Sequence, residues 1–298
     1  MATTLNDVGA RIFSNALIVE ANKVLAPLSA FSLDLSREAV GVKGASIDAT
    51  VFGATTAADF DKTTNNYTHS QGSTRTVSVE MNIHKKDGFA IDDKKALSSP
   101  VPYFTGAAKA SAGACGVAVL DAVFAKFTAA LFTQESIVTY AGIAKANFAA
   151  LRKVATDQNI NPRDATLLLN SSYFGALLSL LDSNTYGGSE AIRLGVVPGL
   201  FGFRQVVEAP TLPSAENLIG MIATTNCLAV AGRYLQPQAP KVYEEVGQMY
   251  DENTGLVFGV RRLGVGATGD VVQNVEVLFG VKELDPKQCV RLISAARA

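Results

Sequence analysis

Tryptophan is absent from the 298 residues, histidine occurs twice and cysteine three times. Each scarcity removes a class of chemistry. Cys115, Cys227 and Cys289 lie far apart and form no CxxC pair, which argues against a disulfide framework and against a structural zinc site. Small hydrophobic packing explains all three. His69 falls in a polar stretch and His84 beside two lysines; neither belongs to HExxH or has a carboxylate cluster near it, so both read as exposed or sheet-edge residues. The GxSxG elbow, the GxxxxGK[ST] phosphate loop and the GxGxxG fingerprint are missing. "GVGATGD" (264–270) has the glycines of an anion loop, but it falls between two expected strands rather than before a helix, which makes it a β-turn. The adjacent acids Asp92 and Asp93, or Glu244 and Glu245, point to opposite faces when placed on a strand and do not form an acid–base pair.

An excess of charge of one sign is also lacking. Lys and Arg total 26 against 27 Asp and Glu, a formal net charge of -1, so the chain exerts little long-range attraction on nucleic acid or anionic lipid. No continuous apolar run reaches the roughly 20 residues that a bilayer requires. The opening residues lack a basic region followed by an apolar core, so no signal peptide is expected and the chain should fold in a reducing cytoplasm. No membrane partner is expected either.

The sequence does have a 48% hydrophobic share against 18% charged residues. That balance fits either padding by Ala, Val and Gly or apolar surface covered by other subunits. The length allows one to three subdomains. Residues 11–30 suit an amphipathic helix carrying Phe13, Leu17, Val24 and Leu28, interrupted by Pro27. From Val40 to about Glu80, "ASIDATVFG" and "STRTVSVEMNI" alternate as strands do, and the polar "AADFDKTTNNYTHSQG" between them reads as a long excursion. Leu120, Phe124, Phe127 and Leu131 recur at 4-3-4 spacing, which predicts one packed side of a long Ala-rich helix starting between Phe104 and Ala114, weakest near Gly113 and Gly116.

A second helix is expected over "YAGIAKANFAALRKVATDQN", with Ala144, Phe148, Leu151 and Ala155 on one side and Pro162 closing the connection. "ATLLLN" reads as a short buried strand, and Asn170 as the cap of a helix bearing Tyr173, Phe174, Leu177, Leu178 and Leu181. "FRQVVEAP" and "NLIGMIATT" are further strands. Leu256, Phe258 and Val260, then Val271, Val275, Val277 and Phe279, predict a long hairpin, after which residues 283–298 read as a small Pro-containing tail. In "NIHKKDGFAIDDKK", Lys85, Lys86, Asp92, Asp93, Lys94 and Lys95 offer complementary contacts between subunits, or a solvated mixed-charge surface.

The order of these segments, above all "LLLNSSYFGALLS" and "GLFGFRQVVEAPTLP" followed by "LIGMIATTNCLAVAGRYL", resembles the major capsid proteins of tailed bacteriophages with the Hong Kong 97 fold, over most of residues 37–282. The resemblance implies an α+β fold divided into an N-terminal arm or helix (1–36), an extended loop with peripheral-domain strands (37–84), a peripheral domain with a long spine helix (85–136), an axial domain (137–235), and a return to the peripheral domain ending in the tail (236–298). It further implies homo-pentamers and homo-hexamers tiling an icosahedral shell around double-stranded DNA bound without sequence specificity, with no cofactor, metal or catalytic site. A portal protein and a separate scaffolding or decoration protein are the other implied partners, and the location is the virion capsid after synthesis in the host bacterial cytoplasm. Phe60, Asn65, Tyr67 and Arg75 would sit in the extended loop. Phe60, Tyr67, Arg75, Lys85, Lys86, Asp92 and Asp93 are then the candidate subunit-interface residues. A shell protein of a protein-based compartment with the same fold is the alternative, and a small-molecule enzyme a more distant one. The stretch "GGSEAIRLGVVPGLFGFRQVVEAPTLP" (187–213) would position a loop and strand where subunits converge, with Pro198, Pro210 and Pro213 fixing direction.

Overall fold

The computed structural model describes residues 16–41, 46–53, 73–91, 100–138, 145–180, 196–213, 215–239, 242–265 and 270–295. Phe13, Phe60, Asn65, Tyr67, His69, Asp92, Asp93, Lys94, Lys95, Ala144 and Leu181 lie outside these residues, as does the glycine-bearing turn at 266–269.

Two six-stranded sheets organise the described residues. The first is built on β13 (Asp270–Glu283), whose fourteen residues are long enough to serve several neighbours. Along one side it pairs with β4 (Ile83–Ile91). Along the other it pairs first with β12 (Val257–Val265) and then, from Leu278 onward, with β10 (Leu228–Arg233). β11 (Glu245–Tyr250) continues outward from β12, and β1 (Ser32–Asp34) runs parallel to β10. The expected long hairpin is therefore β12–β13, with Val265 opposite Asp270 at its end.

One face of this sheet is covered by helices. Residues 16–25 form helix α1, and Pro100–Phe124 form helix α3, which begins earlier than the sequence pattern indicated. Gly116, which propensity marks as a weak point of the helix, is where α1 crosses: a Cβ there would stand 2.9 Å from Val24. The absent side chain lets the two helices approach. Helix α3 stops at Phe124, so Phe127 and Leu131 lie in the turns that follow rather than on its face. They still reach the same core. Phe31 stacks on Phe124 at 5.7 Å and meets Phe127 at 5.8 Å, and Phe127 stacks on Phe132 at 5.1 Å. Gly106–Phe124 is also long and apolar enough to cross a bilayer, contrary to the sequence expectation, because Ala, Gly and Cys score as apolar without forming a continuous hydrophobic run. Half of that stretch is buried against the sheet, the environment of a core helix.

The opposite face of the first sheet is partly covered by a two-stranded hairpin. β2 (Ser46–Phe52) pairs antiparallel with β3 (Thr74–Glu80) over seven positions, as the alternation predicted. Ile47, Ala49, Val77 and Val79 turn inward onto Ala229, Ala231 and Leu284. Helix α2 (Ser36–Gly41) closes this small core through Ala39.

The second sheet runs β5 (Glu135–Ile137), β14 (Cys289–Ile293), β9 (Leu218–Ala223), β6 (Thr166–Leu169), β8 (Gln205–Glu208), β7 (Val196–Pro198). It is buried on both faces. Leu168, Val207, Met221 and Cys289 face the core shared with α3, whereas Leu167, Leu169, Ile222 and Leu292 face α4 (Lys145–Asp157) and α5 (Ser171–Leu180). That double burial is why these strands read as unbroken apolar runs. Asn170 caps α5 as expected, its Oδ1 accepting the Tyr173 N–H at 3.0 Å. The end of the chain departs from expectation: residues 289–293 are not a tail but a fully buried strand between β5 and β9.

Candidate assembly surfaces

On the β2–β3 hairpin the residues that do not turn inward form an outward face of Asp48, Thr50 and Phe52 with Thr76, Ser78 and Glu80. Phe52 is 77% exposed, a large apolar ring left in solvent at the far end of the described ladder. Gly53 donates its N–H to the Ser73 carbonyl at 2.7 Å and closes the ladder there. Arg75, opposite Val51, is itself exposed but its guanidinium donates to the Leu284 carbonyl. Its visible work is to tie the hairpin to its own subunit.

Lys85 and Lys86 occupy β4, a strand whose described pairing is with β13 on one side. Both are exposed, but successive residues on a strand point to opposite faces, so the two ammonium groups are not one patch. Lys85 shares a face with Ile83 and Phe89, which pack toward the helical core. Lys86 stands opposite Glu276 on the outer face. There the Glu276 carboxylate, nearly buried, meets His84 Nε2 at 3.1 Å from β4 and Arg261 from β12. Arg261 also donates to the Leu235 carbonyl at 2.9 Å and to the Tyr243 hydroxyl at 3.3 Å, and its guanidinium lies 5.3 Å from the Tyr243 ring centre. Burial pulls the Arg261 pKa down, but the Tyr243 hydroxyl and the Glu276 carboxylate together outweigh it and raise the pKa above the ordinary guanidinium value. One buried carboxylate thus holds three strands and the β10–β11 connection together.

That connection borders an open cleft of about 800 Å³ on the outer face of the first sheet. Met81, Val257 and Leu278 give it apolar walls, Tyr234 and Tyr250 aromatic ones, and Arg233 is the charged residue that lines it. Leu235, 38% exposed, stands at its border, and Val242, further along the connection, is 59% exposed.

The stretch 196–213 turns on three positive-φ residues, Gly199, Phe201 and Gly202, at 67°, 53° and 81°. Phe201 accepts that conformation while stacking on Phe148 at 5.1 Å with the rings nearly parallel. A Cβ on Gly202 would press on the Arg152 guanidinium at 3.1 Å. The turn is thereby clamped to α4 and passes the chain into β8.

Sequence reasoning missed the most deeply buried charge. Arg291 in β14 has no exposed surface and pairs with both Glu135 of β5 and Glu216 of the 3-10 turn Ala215–Asn217. Glu216 also accepts the Ala129 N–H at 2.9 Å, and Arg291 donates its backbone N–H to Gln134. An Arg inside "CVRLI" looks like a solvent-facing residue of an edge strand, and its partners lie 156 and 75 residues away. Among the described residues no group of three or more His, Cys, Asp or Glu is placed to hold a metal ion.

A family model described as "Phage capsid protein" matches residues 26–274. The chain belongs to that family. No curated protein matches this capsid chain in sequence. Its fold is shared with solved capsid structures at low identity. A virus-like particle from Pyrococcus furiosus has 13% identity and a TM-score of 0.57, covering 94% of this chain and 97% of that one. Mycobacterium phage Adephagia has 14% identity and a TM-score of 0.56, covering 93% and 91%. The capsid of a native GTA particle has 14% identity and a TM-score of 0.56, covering 92% and 91%. These likenesses establish a mixed α+β capsid fold over nearly the whole chain. Of the seven interface residues expected from sequence, Arg75, Lys85 and Lys86 are described, and the structure places them on three different surfaces.

Proposed function

We propose that this capsid protein is the major shell subunit of a tailed phage with the Hong Kong 97 fold, assembling as pentamers and hexamers into a closed icosahedral shell that encloses double-stranded DNA. In this reading the first sheet with α3 is the peripheral domain and its spine, the second sheet with α4 and α5 is the axial domain, and the β2–β3 hairpin is the root of the loop that reaches a neighbour. The match of residues 26–274 to the phage capsid family carries the reading. The near-neutral charge is compatible with it, because a confined genome needs no tight subunit contact. A portal at one vertex and a separate scaffolding or decoration protein complete the set of partners, and the virion is the destination after synthesis in a bacterial cytoplasm. Electron microscopy of the expressed chain, with its native partners supplied, should show closed shells, and phage particles should yield nuclease-protected DNA. A uniformly monomeric chain under those conditions would sink the proposal.

A second reading is favoured by one observation, the fold shared with a virus-like particle. A compartment shell would form the same closed lattice around protein cargo. The contents of native particles, DNA or protein, separate the two.

A further inference from the structure

We infer that the exposed ring of Phe52 is a knob that seats in the outer cleft of a second copy of this chain, between the Met81–Leu278 wall and Tyr250. The inference rests on the shell reading above and names the contact that would propagate it. Phe52 is 77% exposed, the most exposed large apolar side chain among the described residues, and it ends the outward face of the hairpin. The cleft of about 800 Å³ is large enough for an aromatic ring and its flanking backbone. Its walls combine Met81, Val257 and Leu278 with two tyrosine rings, the surroundings in which buried aromatic anchors contribute most to association.

The charges are complementary. The outward face of the hairpin carries Asp48 and Glu80 and no cation, while the charged residue lining the cleft is Arg233. Asp48 lies four residues from Phe52 on the same face, about 13 Å along the strand. It can therefore approach the Arg233 side of the cleft while the ring occupies the apolar side.

Geometry makes the contact intermolecular. Ser46 pairs with Glu80 at the end of the hairpin next to Met81, and Phe52 pairs with Thr74 at the other end. Six residue steps along β2 place the Phe52 position about 20 Å from its own cleft. The strand ladder and the Arg75 bond to Leu284 hold it there. A knob and a socket on different parts of one subunit can be used head to tail, as a heterologous contact that closes into rings or continues as a lattice; a reciprocal twofold exchange would instead stop the cross-linked ladder at dimers.

The test combines cross-linking with loss of assembly. Phe52→Cys and Gln248→Cys, the latter an exposed cleft residue, are made singly and together; the native cysteines are buried and give little background. On mild oxidation the double variant in assembled particles should give a ladder of covalent multimers, and particles co-assembled from the two single variants should give cross-linked dimers. Phe52→Ser should leave the melting temperature of the subunit unchanged and raise the concentration needed for assembly by at least about tenfold, as removal of a central aromatic anchor does. Well-formed shells from the parent chain without cross-links, or Phe52→Ser shells at undiminished yield, overturn the knob contact and leave the shell reading intact. Absence of shells from the parent chain overturns the shell reading on which the contact rests.

Discussion

Arg291 and Glu216 are joined inside the second sheet, a guanidinium without solvent exposure paired to a carboxylate whose own backbone lies at φ 56°. A non-glycine residue in the left-handed region is held there by its surroundings. Here the holding contacts are the Arg291 pair and the Ala129 N–H. With Glu135 added, one side chain fastens β14, β5, the turns after α3 and the entry to β9. This is the joint where the chain passes from the first core to the second sheet.

Removing the cation from that joint should destabilise strongly. Arg291→Ala leaves Glu135 and Glu216 facing each other without their cation; the Glu216 side chain is 36% exposed, so water offsets part of the loss and the cost should fall below the about 3–5 kcal/mol of breaking a fully buried pair. Urea unfolding should show this loss. The double variant Arg291→Met with Glu216→Gln should recover part of it, because the uncompensated charge is then reduced. Equal losses in the single and double variants would mean that the pair is not coupled.

Phe124 and Lys85 divide folding from assembly. Phe124→Asp puts a carboxylate where the ring now stacks on Phe31, at a position 1% exposed, and should cost more than about 4 kcal/mol, enough to abolish the melting transition. Lys85→Glu changes an exposed residue and should leave subunit stability within about 0.5 kcal/mol while altering particle yield. Asp92→Lys is its counterpart on charge grounds. Subunit melting and particle yield, measured separately, check the division; a folded, assembling Phe124→Asp chain would refute it.

The three buried thiols make stability fall in alkali. Burial is the main cause for each, pushing Cys115 up to about 11 and Cys227 and Cys289 well above the ordinary thiol range. In the unfolded chain the same thiols ionise near 8.5. Above that pH the unfolded state binds fewer protons than the folded state, so the stability gained from protonated thiols is present below about pH 8.5 and is lost as pH rises toward 11. Denaturant midpoints should drop across that window, and a Cys115→Ala, Cys227→Ala, Cys289→Ala triple variant should show a shallower drop. Thiol reagents at pH 8 should label the folded chain only as fast as it opens.

Much of this fold was legible because its signals are local. Asn170 before an apolar helix, the alternation on both sides of the excursion, and the odd-numbered apolar residues of β13 each appear within a dozen residues. The joint was not legible, because the burial of Arg291 depends on acids far away in sequence, and "CVRLI" carries no sign of its neighbours. The split of Lys85 from Lys86 followed from strand alternation and could have been read once β4 was recognised as a strand. The sequence places the start of α3 late because Gly113 and Gly116 lower helix propensity; at Gly116 the missing side chain makes room for Val24 of α1, a packing reason no local pattern reveals. The cleft arises between segments from three parts of the chain, and no single stretch encodes it.

The last expectation concerns the excursion between β2 and β3. The described ladder runs without interruption from Ser46–Glu80 to Phe52–Thr74, and its inward side chains pack against Ala229, Ala231 and Leu284. Residues 58–71, outside the described residues, are rich in Thr and Asn with Phe60 and Tyr67 as their large apolar groups. Such a composition cannot bury enough apolar surface to form a core of its own. Deleting 58–71 should therefore preserve the far-ultraviolet circular dichroism and melting of the subunit. Sedimentation should then show loss or redirection of assembly, because Phe60 and Tyr67 are removed as anchors on a neighbour. The Phe52→Ser variant retains those two residues, so comparing the variants measures how far the contact extends beyond the hairpin end. Loss of folding and assembly at the same denaturant concentration would instead make the excursion integral to the subunit fold.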